Sequence, residues 1–316
     1  MSLRGRLSLL GATAILVAAC SSGGGASPAS SEAASVAPSE AAPSAAESMV
    51  PSESASVAPI EGGLLDKVLK AGKLVVSTDA NYAPQSFLKT DGTFEGFDID
   101  VGTEIAKRLG VAVEFSAQDW AVITAGSWSG RFDASVGSMT ITSDRAKIFD
   151  FTDPYYYTPA QMTASTASGI TTLEGMAGKT VCVGEATTYL DWLQGKKLDF
   201  GPLSPTTTPP AGVKVTTQKT DNLCPQLWGA NRNDFEGFLS SSTTVEGAIK
   251  AGLPMIKVGD PVYAEPLAVA VDKSGPDPTD FVAATTRIIQ EMHADGTLKA
   301  MSEKWFGLDL TEAPTQ

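Results

Sequence analysis

Apolar and polar positions follow two different periods along the chain from Leu64 onward. Short apolar runs such as LVVS (74–77) are typical of buried strands, whereas 97–109 repeats apolar residues at helical spacing and stops at Gly110. We predict strands at 74–77, 111–115, 132–138, 180–184, 255–259 and 267–271, and 235–239 is a further short apolar run. We predict helices at 64–71, 97–109, 121–129, 187–195, 244–251 and, as a pair separated at Asp295-Gly296, across 280–305.

This alternation of strands and helices indicates an α/β fold around a mostly parallel sheet. The chain passes between two β/α units near 157–159 and again near 263–266, and two crossings imply a hinge with a cleft between two lobes. The folded part is also longer than one simple core usually holds. We predict lobe 1 at 61–157 plus 266–316 and lobe 2 at 158–265.

The N-terminal segment has a different composition. Two arginines precede an apolar run (7–19) that ends in small residues at Cys20, a pattern typical of an export signal over 1–20. The run is too short to span a bilayer comfortably, and the alternative is a buried N-terminal helix. Residues 21–60 are almost wholly Ser, Ala, Gly, Pro and Glu, so we expect a disordered tether there.

The three cysteines have separate roles in this interpretation. LVAAC (16–20) is similar to the lipobox of bacterial lipoproteins, which implies that Cys20 is acylated and anchors the mature protein to the outer face of the cytoplasmic membrane. Cys182 and Cys224 would then lie in an oxidising compartment, where an even number suggests a disulfide. The alternative is two free, buried thiols.

The composition argues against two classes of function. The formal net charge of −13 disfavours nucleic acid as a partner. The chain has one histidine, and its cysteines and histidine lack the spacing of metal ligands. We therefore expect neither a metal nor a cofactor.

One stretch, SVGSMTITSDRAK, gathers small hydroxyl groups around a single arginine. The predicted strand ends at Ser138, and Thr142 or Ser143 could cap a following helix whose free N–H groups face the turn. Arg145 lies in the first turn of that helix, where its guanidinium can bind a carboxylate with two bonds, and Thr140 adds a hydroxyl. The stretch therefore predicts an anion-binding site.

A second stretch, TVCVGEATTY (180–189), repeats this arrangement, with Thr187 and Thr188 between a strand and a helix start. If both stretches face the cleft, one carboxylate could be held by both lobes, and its binding would close the hinge. Taken singly, Arg145 could be a surface ion-pair partner and the two threonines an ordinary helix cap. Only the combination indicates a binding site.

Two aromatic residues complete the candidate site. Tyr82 and Trp120 each follow a predicted strand and an acidic residue, Asp79 and Asp119 respectively. Aromatic faces can cover the aliphatic part of a ligand or a cationic group on it. An exposed aromatic residue alone is weak evidence, so this prediction depends on the whole set.

A resemblance to a known family is carried by LVVSTDANYAPQSF, GTFEGFDIDVGTEIAKRLG, VEFSAQDW, SGRFDASVGSMTITSDRAK and FDFTDPYYY. These segments resemble the extracellular solute-binding proteins of family 3, the polar amino acid receptors of ABC importers. KTVCVGEATTYLDWL and ADGTLKAMSEKWFG resemble the second-lobe and C-terminal motifs of that family. The resemblance covers 64–308 and implies a two-lobed fold of the periplasmic-binding-protein type II, with two hinge crossings, that closes on its ligand like a flytrap.

The resemblance also implies a ligand-binding role for eight residues. These are Tyr82 and Trp120, which would sandwich the ligand; Asp79, which could touch its side chain; Ser138, Thr140 and Arg145, which would hold the α-amino and α-carboxylate ends, with Arg145 on the carboxylate; and Thr187 and Thr188, which match the second-lobe carboxylate contacts.

Two positions depart from the family pattern. The second-lobe aspartate that usually pairs with the ligand ammonium falls on Ser241, and neither Glu236 nor Glu185 aligns cleanly as a substitute. Gln85 stands where an apolar or aromatic residue is usual. Because an unpaired buried ammonium is costly, either another carboxylate reaches it or the ligand lacks a free α-amino group.

The resemblance therefore implies a monomeric lipoprotein that captures a small carboxylate-bearing solute, above all an amino acid, for an ABC permease and its ATPase. One alternative is a dehydratase-like enzyme of the same fold, for which Glu185 is the candidate acid or base. His293, on the C-terminal helical stretch, is better explained as a solvated helix residue. Another alternative is a partner that presents the ligand to a signalling receptor.

Overall fold

The computed structural model describes residues 57–314, and the structure below is that of this part of the chain. The predicted export signal (1–20), the lipidation site at Cys20 and the predicted tether up to residue 56 lie outside the described residues.

The chain forms helices and strands in alternation. From the start of the described part to the first crossing they are α1 (Leu64–Ala71), β1 (Lys73–Thr78), β2 (Asn81–Tyr82), β3 (Ser86–Leu88), β4 (Phe94–Glu95), α2 (Phe97–Leu109), β5 (Ala112–Ala117), α3 (Trp120–Thr124), β6 (Ala134–Thr140), β7 (Phe149–Phe151) and β8 (Tyr156–Ser165). Both α1 and α2 end at glycines with left-handed backbone, Gly72 and Gly110, as the sequence predicts.

The second half of the described chain continues the alternation and returns to the first half. Its elements are β9 (Thr180–Gly184), α4 (Thr188–Leu193), β10 (Lys214–Gln218), α5 (Leu223–Gly229), β11 (Gly237–Ser241), α6 (Ser242–Lys250), β12 (Met255–Lys257), β13 (Tyr263–Asp272), α7 (Thr279–Ala294) and α8 (Thr297–Phe306). The last two helices are separated at Asp295-Gly296, which confirms the predicted break.

The main sheet has the strand order β10-β9-β11-β8-β13-β6-β1-β5, with β12 beside β8 and β7 beside β13. Strands within each half run parallel: β1 pairs with β5 and β6, and β9 pairs with β10 and β11. The long strands β8 and β13 pair antiparallel in the middle and connect the halves. The predicted two-lobed α/β fold with two crossings is confirmed.

Separate apolar cores lie on the two sides of these crossings. One packs around Phe97, Phe281 and the flanking helices, with residues drawn from 64–156 and 267–306. Another packs around Trp192, with residues drawn from 160–263. The boundaries predicted for the lobes fit this distribution, although their placement to the residue stays a prediction.

Two predicted helices differ in the structure. The helix expected at 121–129 ends at Thr124, because Gly126 (φ 69°), directly after the C-cap Ala125, and then Ser127 and Ser129 adopt left-handed backbone that cannot continue it. The helix expected after Thr142 is a single 3-10 turn at Arg145–Lys147. Thr142 does cap this turn, since its Oγ1 accepts a hydrogen bond from the Arg145 backbone N–H at 3.1 Å.

A disulfide joins Cys182 on β9 to Cys224 on α5, with their Cα atoms 5.8 Å apart, and confirms the predicted pairing. Both cysteines are fully buried beside Trp228 and Phe238. The bridge therefore fastens a helix to the sheet inside lobe 2. The sequence prediction had missed both α5 and the neighbouring strand β10.

Within residues 57–314, no helix is both long and apolar enough to cross a membrane.

Candidate ligand-binding site

A cavity lies between the lobes, where five strands end. Most of its walls come from residues at or after the carboxyl ends of β1, β5, β6, β9 and β10, the usual position of ligands in open α/β sheets, and Tyr82 of β2 and Glu265 of β13 complete them. All eight residues predicted to bind a ligand line it. The full lining is Asp79, Tyr82, Trp120, Gly137, Ser138, Thr140, Arg145, Gly184, Glu185, Thr187, Thr188, Tyr189, Lys219, Thr220, Asp221 and Glu265.

Arg145 is half-buried on the cavity wall and is oriented by backbone oxygens. Its Nη1 donates to the Thr140 carbonyl and its Nη2 to the Ala186 carbonyl of lobe 2, both at 3.1 Å. The guanidinium carbon lies 5.5 Å from the centre of the Trp120 ring, within range of a cation–π interaction. No acidic side chain forms a salt bridge with Arg145 among the described residues, so its charge remains available to an anion.

Trp120 and Tyr82 both reach across the cleft. The Trp120 indole N–H donates to the Ala186 carbonyl at 3.1 Å, and the Tyr82 hydroxyl donates to Ser241 Oγ at 3.1 Å. Asp79, which also lines the cavity, accepts a hydrogen bond from the Asn81 backbone N–H at 2.8 Å. Burial raises the pKa of Asp79 to about 6. These three residues therefore contribute two aromatic rings and one acid to the lining.

Ser138 lines the cavity, but its side chain is turned into lobe 1. Its Oγ donates to Asp98 Oδ2 at 2.8 Å and lies 2.7 Å from the Tyr156 hydroxyl. Tyr155 donates to the other oxygen of Asp98 at 2.8 Å. The backbone of Ser138 is left-handed (φ 57°), an uncommon conformation outside glycine that is held here by these contacts. Burial raises the pKa of Asp98 to about 7.

Thr140 and Thr188 are brought together from opposite lobes, as predicted, but they bind a carboxylate of the protein itself. Thr140 Oγ1 donates to Glu265 Oε1 at 2.8 Å, and Thr188 Oγ1 donates to the same oxygen. Glu265 lies on β13, is 1% exposed and lines the cavity. The sequence predicted a ligand carboxylate shared by both lobes; in the structure Glu265 occupies these two hydroxyls, and the contact with a ligand stays a prediction.

Thr187 acts as the predicted cap of α4. Its Oγ1 accepts the Leu190 backbone N–H at 3.1 Å and donates to the Gly184 carbonyl at 2.8 Å. Gly184 is constrained by Asp221, because a Cβ at this glycine would lie only 2.2 Å from Asp221 Oδ1. That same oxygen accepts the Gly184 N–H at 2.9 Å. Burial raises the pKa of Asp221 to about 7.

The two positions that depart from the family pattern are in direct contact. Gln85 Nε2 donates to Ser241 Oγ at 2.9 Å and to Thr243 Oγ1 at 2.7 Å. Gln85 and Ser241 are both fully buried, and they come from opposite lobes. Ser241 is therefore occupied by lobe 1 side chains and does not line the cavity.

Sequence reasoning missed several residues of the site, chiefly Asp221 and Glu265. Asp221, like Lys219 before it, follows β10, a strand that was not predicted, so the rule that strand ends carry binding residues was not applied there. Glu265 lies within the second predicted crossing, near 263–266, outside the strand predicted at 267–271. An acidic residue at a predicted crossing was the available signal.

The other residues weighed from the sequence lie in different places. Glu236 is remote from the cavity: it binds the Thr180 backbone N–H at 3.0 Å, at the amino end of β9, whereas the cavity lies at the carboxyl end. His293, on α7, lies 3.2 Å from the Pro154 carbonyl and does not line the cavity. Glu185 does line it. Among residues 57–314 no group of three or more acidic, cysteine or histidine side chains could hold a metal ion.

Known proteins are similar to this chain in sequence and in fold. The family model of bacterial extracellular solute-binding proteins, family 3, matches residues 74–308. The L-cystine-binding protein TcyJ of Escherichia coli K12 is 31% identical over 252 residues, which cover 79% of this chain and 88% of TcyJ.

Two solved structures are similar at 30% identity and a TM-score of 0.64. One is an ancestral arginine-binding protein bound to glutamine, which covers 75% of this chain and 98% of its own. The other is an ancestral amino acid-binding protein described as a precursor of cyclohexadienyl dehydratase, which covers 77% of this chain and 99% of its own. This protein belongs to the bacterial extracellular solute-binding proteins of family 3.

Proposed function

We propose that this protein captures an amino acid in the cavity between its lobes and delivers it to the permease and ATPase of an ABC importer. The observation that carries the proposal is the lining of the cavity, in which Arg145, hydroxyl groups and aromatic rings converge from five strand ends. The relatives support it, since TcyJ is a cystine-binding protein and the ancestral structure holds glutamine.

In this proposal the ligand carboxylate binds to Arg145. The guanidinium is held in place by the Thr140 and Ala186 carbonyls, so little side-chain entropy is lost when it binds an anion. Trp120 and Tyr82 would cover the aliphatic part of the ligand. Because Ala186 belongs to lobe 2, a ligand on Arg145 would contact both lobes and favour closure.

The charges of the cavity favour a ligand that also carries an amine. Four carboxylates line it, against the two cations Arg145 and Lys219. A dicarboxylate would place a second negative charge beside buried acids, which is unfavourable at low effective dielectric. The proposed ligand is therefore an amino acid with a neutral or cationic side chain.

The test is isothermal titration calorimetry of the purified protein against the twenty amino acids and cystine, supported by thermal shift. Saturable binding of neutral or cationic amino acids, with aspartate and glutamate weakest, is the expected result. Binding of none of them would refute the proposed ligand class. Mass spectrometry of any ligand that co-purifies provides an independent identification.

We propose further that the protein is a lipid-anchored monomer outside the cytoplasmic membrane, with Cys20 as the acylated residue. The chain expressed in a bacterial host should fractionate with membranes, and Cys20→Ser should release it to the soluble fraction. Equal membrane association of both forms would contradict the anchor. Light scattering of the released form would measure its mass in solution.

We propose a receptor and not an enzyme. The family and TcyJ are binding proteins, although one structural relative is described as a precursor of a dehydratase. Glu185, the candidate acid or base from the sequence, lines the cavity, whereas His293 does not. Recovery of each bound compound unchanged after long incubation supports a receptor, whereas time-dependent loss of water from it would indicate an enzyme.

The importer is tested separately from the ligand. Co-purification of the membrane-anchored chain with a permease and an ATPase would support transport. Co-purification with a membrane receptor that has a signalling domain would support the alternative of a ligand-presenting partner.

A further inference from the structure

Glu265 is a buried carboxylate that lines the cavity, and its two short hydrogen bonds end on one oxygen. The hydroxyls of Thr140 and Thr188 both donate to Oε1. The Tyr189 hydroxyl also lies close to the carboxylate, and no salt bridge reaches Glu265 among the described residues. A carboxylate that is 1% exposed and bonded through one oxygen is costly unless a cation binds nearby.

The ionisation of Glu265 agrees with this geometry. Burial raises the pKa of Glu265, and the hydroxyls of Thr188, Tyr189 and Thr140 together with the charge of Arg145 lower it only in part. The remaining cost would be offset by a positive group of a ligand beside Oε2.

The other acids of the cavity differ from Glu265 in burial or in their contacts. Asp221 uses both oxygens within lobe 2, since Oδ1 accepts the Gly184 N–H at 2.9 Å and Oδ2 accepts the Ser240 hydroxyl at 2.6 Å. Asp79, which accepts the Asn81 backbone N–H, is less deeply buried than Glu265, and Glu185 is only half-buried. The position that the family pattern gives to the ammonium partner is Ser241, which is bonded to Gln85 and Tyr82.

Thr140 connects the cationic and anionic parts of the cavity. Its carbonyl accepts Arg145 Nη1 at 3.1 Å, and its hydroxyl donates to Glu265 at 2.8 Å. Opposite charges therefore lie on two sides of one residue. The carboxylate and ammonium of an α-amino acid are likewise attached to a single carbon, so the two groups could be bound together at this place.

We infer that Glu265 binds the α-ammonium group of the ligand, in the role that an aspartate at position 241 would otherwise have. This inference rests on the proposed function, because it requires an amino acid in the cavity. Glu265, a residue of the hinge strand β13, would then determine the selectivity for amino acids over simple carboxylic acids. Binding would also connect the ligand to both lobes through Thr140 and Thr188.

The experiment compares Glu265→Gln with Glu236→Gln as a matched control, since Glu236 binds backbone at the far end of β9. Calorimetry measures the affinity of each variant for the amino acid that the wild type binds best and for the carboxylic acid of the same skeleton without the amino group. We expect Glu265→Gln to weaken the affinity for the amino acid at least 30-fold and to change the affinity for the des-amino acid less than 3-fold. Glu236→Gln should change neither affinity by more than 3-fold.

A second variant controls for folding. Glu265→Asp keeps the negative charge but places it one methylene further from the ligand. We therefore expect a loss of amino acid affinity between those of the wild type and Glu265→Gln, and a cooperative thermal unfolding transition that shows the variant is folded. If Glu265→Gln is folded and binds the amino acid as tightly as the wild type, the inference is overturned. It is also overturned if the variant loses the amino acid and the des-amino acid equally. If the wild type binds no amino acid at all, the proposed function fails instead.

Discussion

The turn after β6 and the turn after β9 have similar sequences but different structures. Each places hydroxyl residues directly after a strand, and each was predicted to begin a helix. After β6 the chain makes one 3-10 turn at Arg145–Lys147, because it must enter β7, which pairs with β13. After β9 the chain forms α4, which runs for six residues. No strand follows α4 directly in the described part of the chain, because a long connection leads from it to β10.

The comparison shows that the two lobes contribute different chemistry to the cavity. Lobe 1 supplies the cation, Arg145, held by the carbonyl of Thr140. Lobe 2 supplies a capped helix start, with Thr187 satisfying the backbone and Thr188 binding Glu265. In the proposed function, a ligand carboxylate on Arg145 would lie beside the helix start of lobe 2, because Arg145 is itself bonded to the Ala186 carbonyl of that lobe.

Removal of the lobe 1 cation should have the largest effect. We expect Arg145→Ala to weaken amino acid binding by about 2–5 kcal/mol, because a buried charge partner of the carboxylate is lost. Calorimetry measures the change, and Arg145→Lys, which keeps the charge but not the planar fork, should lose less. Unaltered affinity in Arg145→Ala would exclude this residue as the carboxylate partner.

Removal of the disulfide should affect lobe 2 alone. The bridge closes a loop of 42 residues, so the double variant Cys182→Ala with Cys224→Ala should lose about 3–4 kcal/mol of unfolding free energy. Denaturant unfolding measures the loss. Hydrogen exchange should increase in β9 and α5 and stay unchanged in β1; equal changes in both lobes would contradict this localisation.

A third prediction concerns the pH dependence of stability that arises from one buried acid in each lobe, Asp98 and Asp221. Burial raises the pKa of both to about 7, above the value of about 4 for an unfolded aspartate. The folded protein therefore binds more protons than the unfolded chain between pH 4 and 7, and its stability falls as the pH rises through this window.

We expect the free energy of unfolding of the unliganded protein to increase as the pH is lowered from 8 to 5, by on the order of 2 kcal/mol for each of the two groups. Asp98→Asn and Asp221→Asn should each flatten the curve measured by denaturant unfolding at several pH values. Asp295, whose pKa is lowered to about 2 by Thr297 and Arg108, acts in the opposite direction only below pH 4. Stability that rises with pH across this window would contradict the burial of these acids.

The smallest expected effect is the loss of stability when the threonine cap of either turn is removed, and its size should differ between the two turns. Thr187→Ala removes the cap of a six-residue α-helix and should cost about 1 kcal/mol of stability. Thr142→Ala removes the cap of a three-residue turn and should cost less than half as much, because fewer backbone groups depend on it. Equal losses in thermal unfolding would mean that the two caps are equivalent.

Much of the fold could be predicted from the sequence, because period and end signals are local. The bounds of α1 and α2 were predicted to the residue, since glycines end both helices. The grouping of Thr140, Arg145 and Thr188 also followed from local information: each lies at or just after a strand end, and parallel strand ends meet at one edge of a sheet.

The remaining features depend on contacts between distant residues. The helix predicted at 121–129 is shorter because Gly126 and then Ser127 and Ser129 are left-handed; the glycine is visible in the sequence, whereas the conformation of the serines is not. The contact of Gln85 with Ser241 joins residues 156 positions apart, and it explains two departures from the family pattern at once. Neither sequence position alone indicates the other.

The sequence by itself determined most of the order of elements, though not β10 and α5, together with the two crossings, the cysteine pair and a set of residues suited to bind a small anion. Only the tertiary structure decided that Glu265 occupies the place between Thr140 and Thr188 and that Ser241 is bonded across the cleft. The physical reason is range: helix periods and caps act over a few residues, whereas the partner of a buried carboxylate is selected by how strands far apart in the chain pack together.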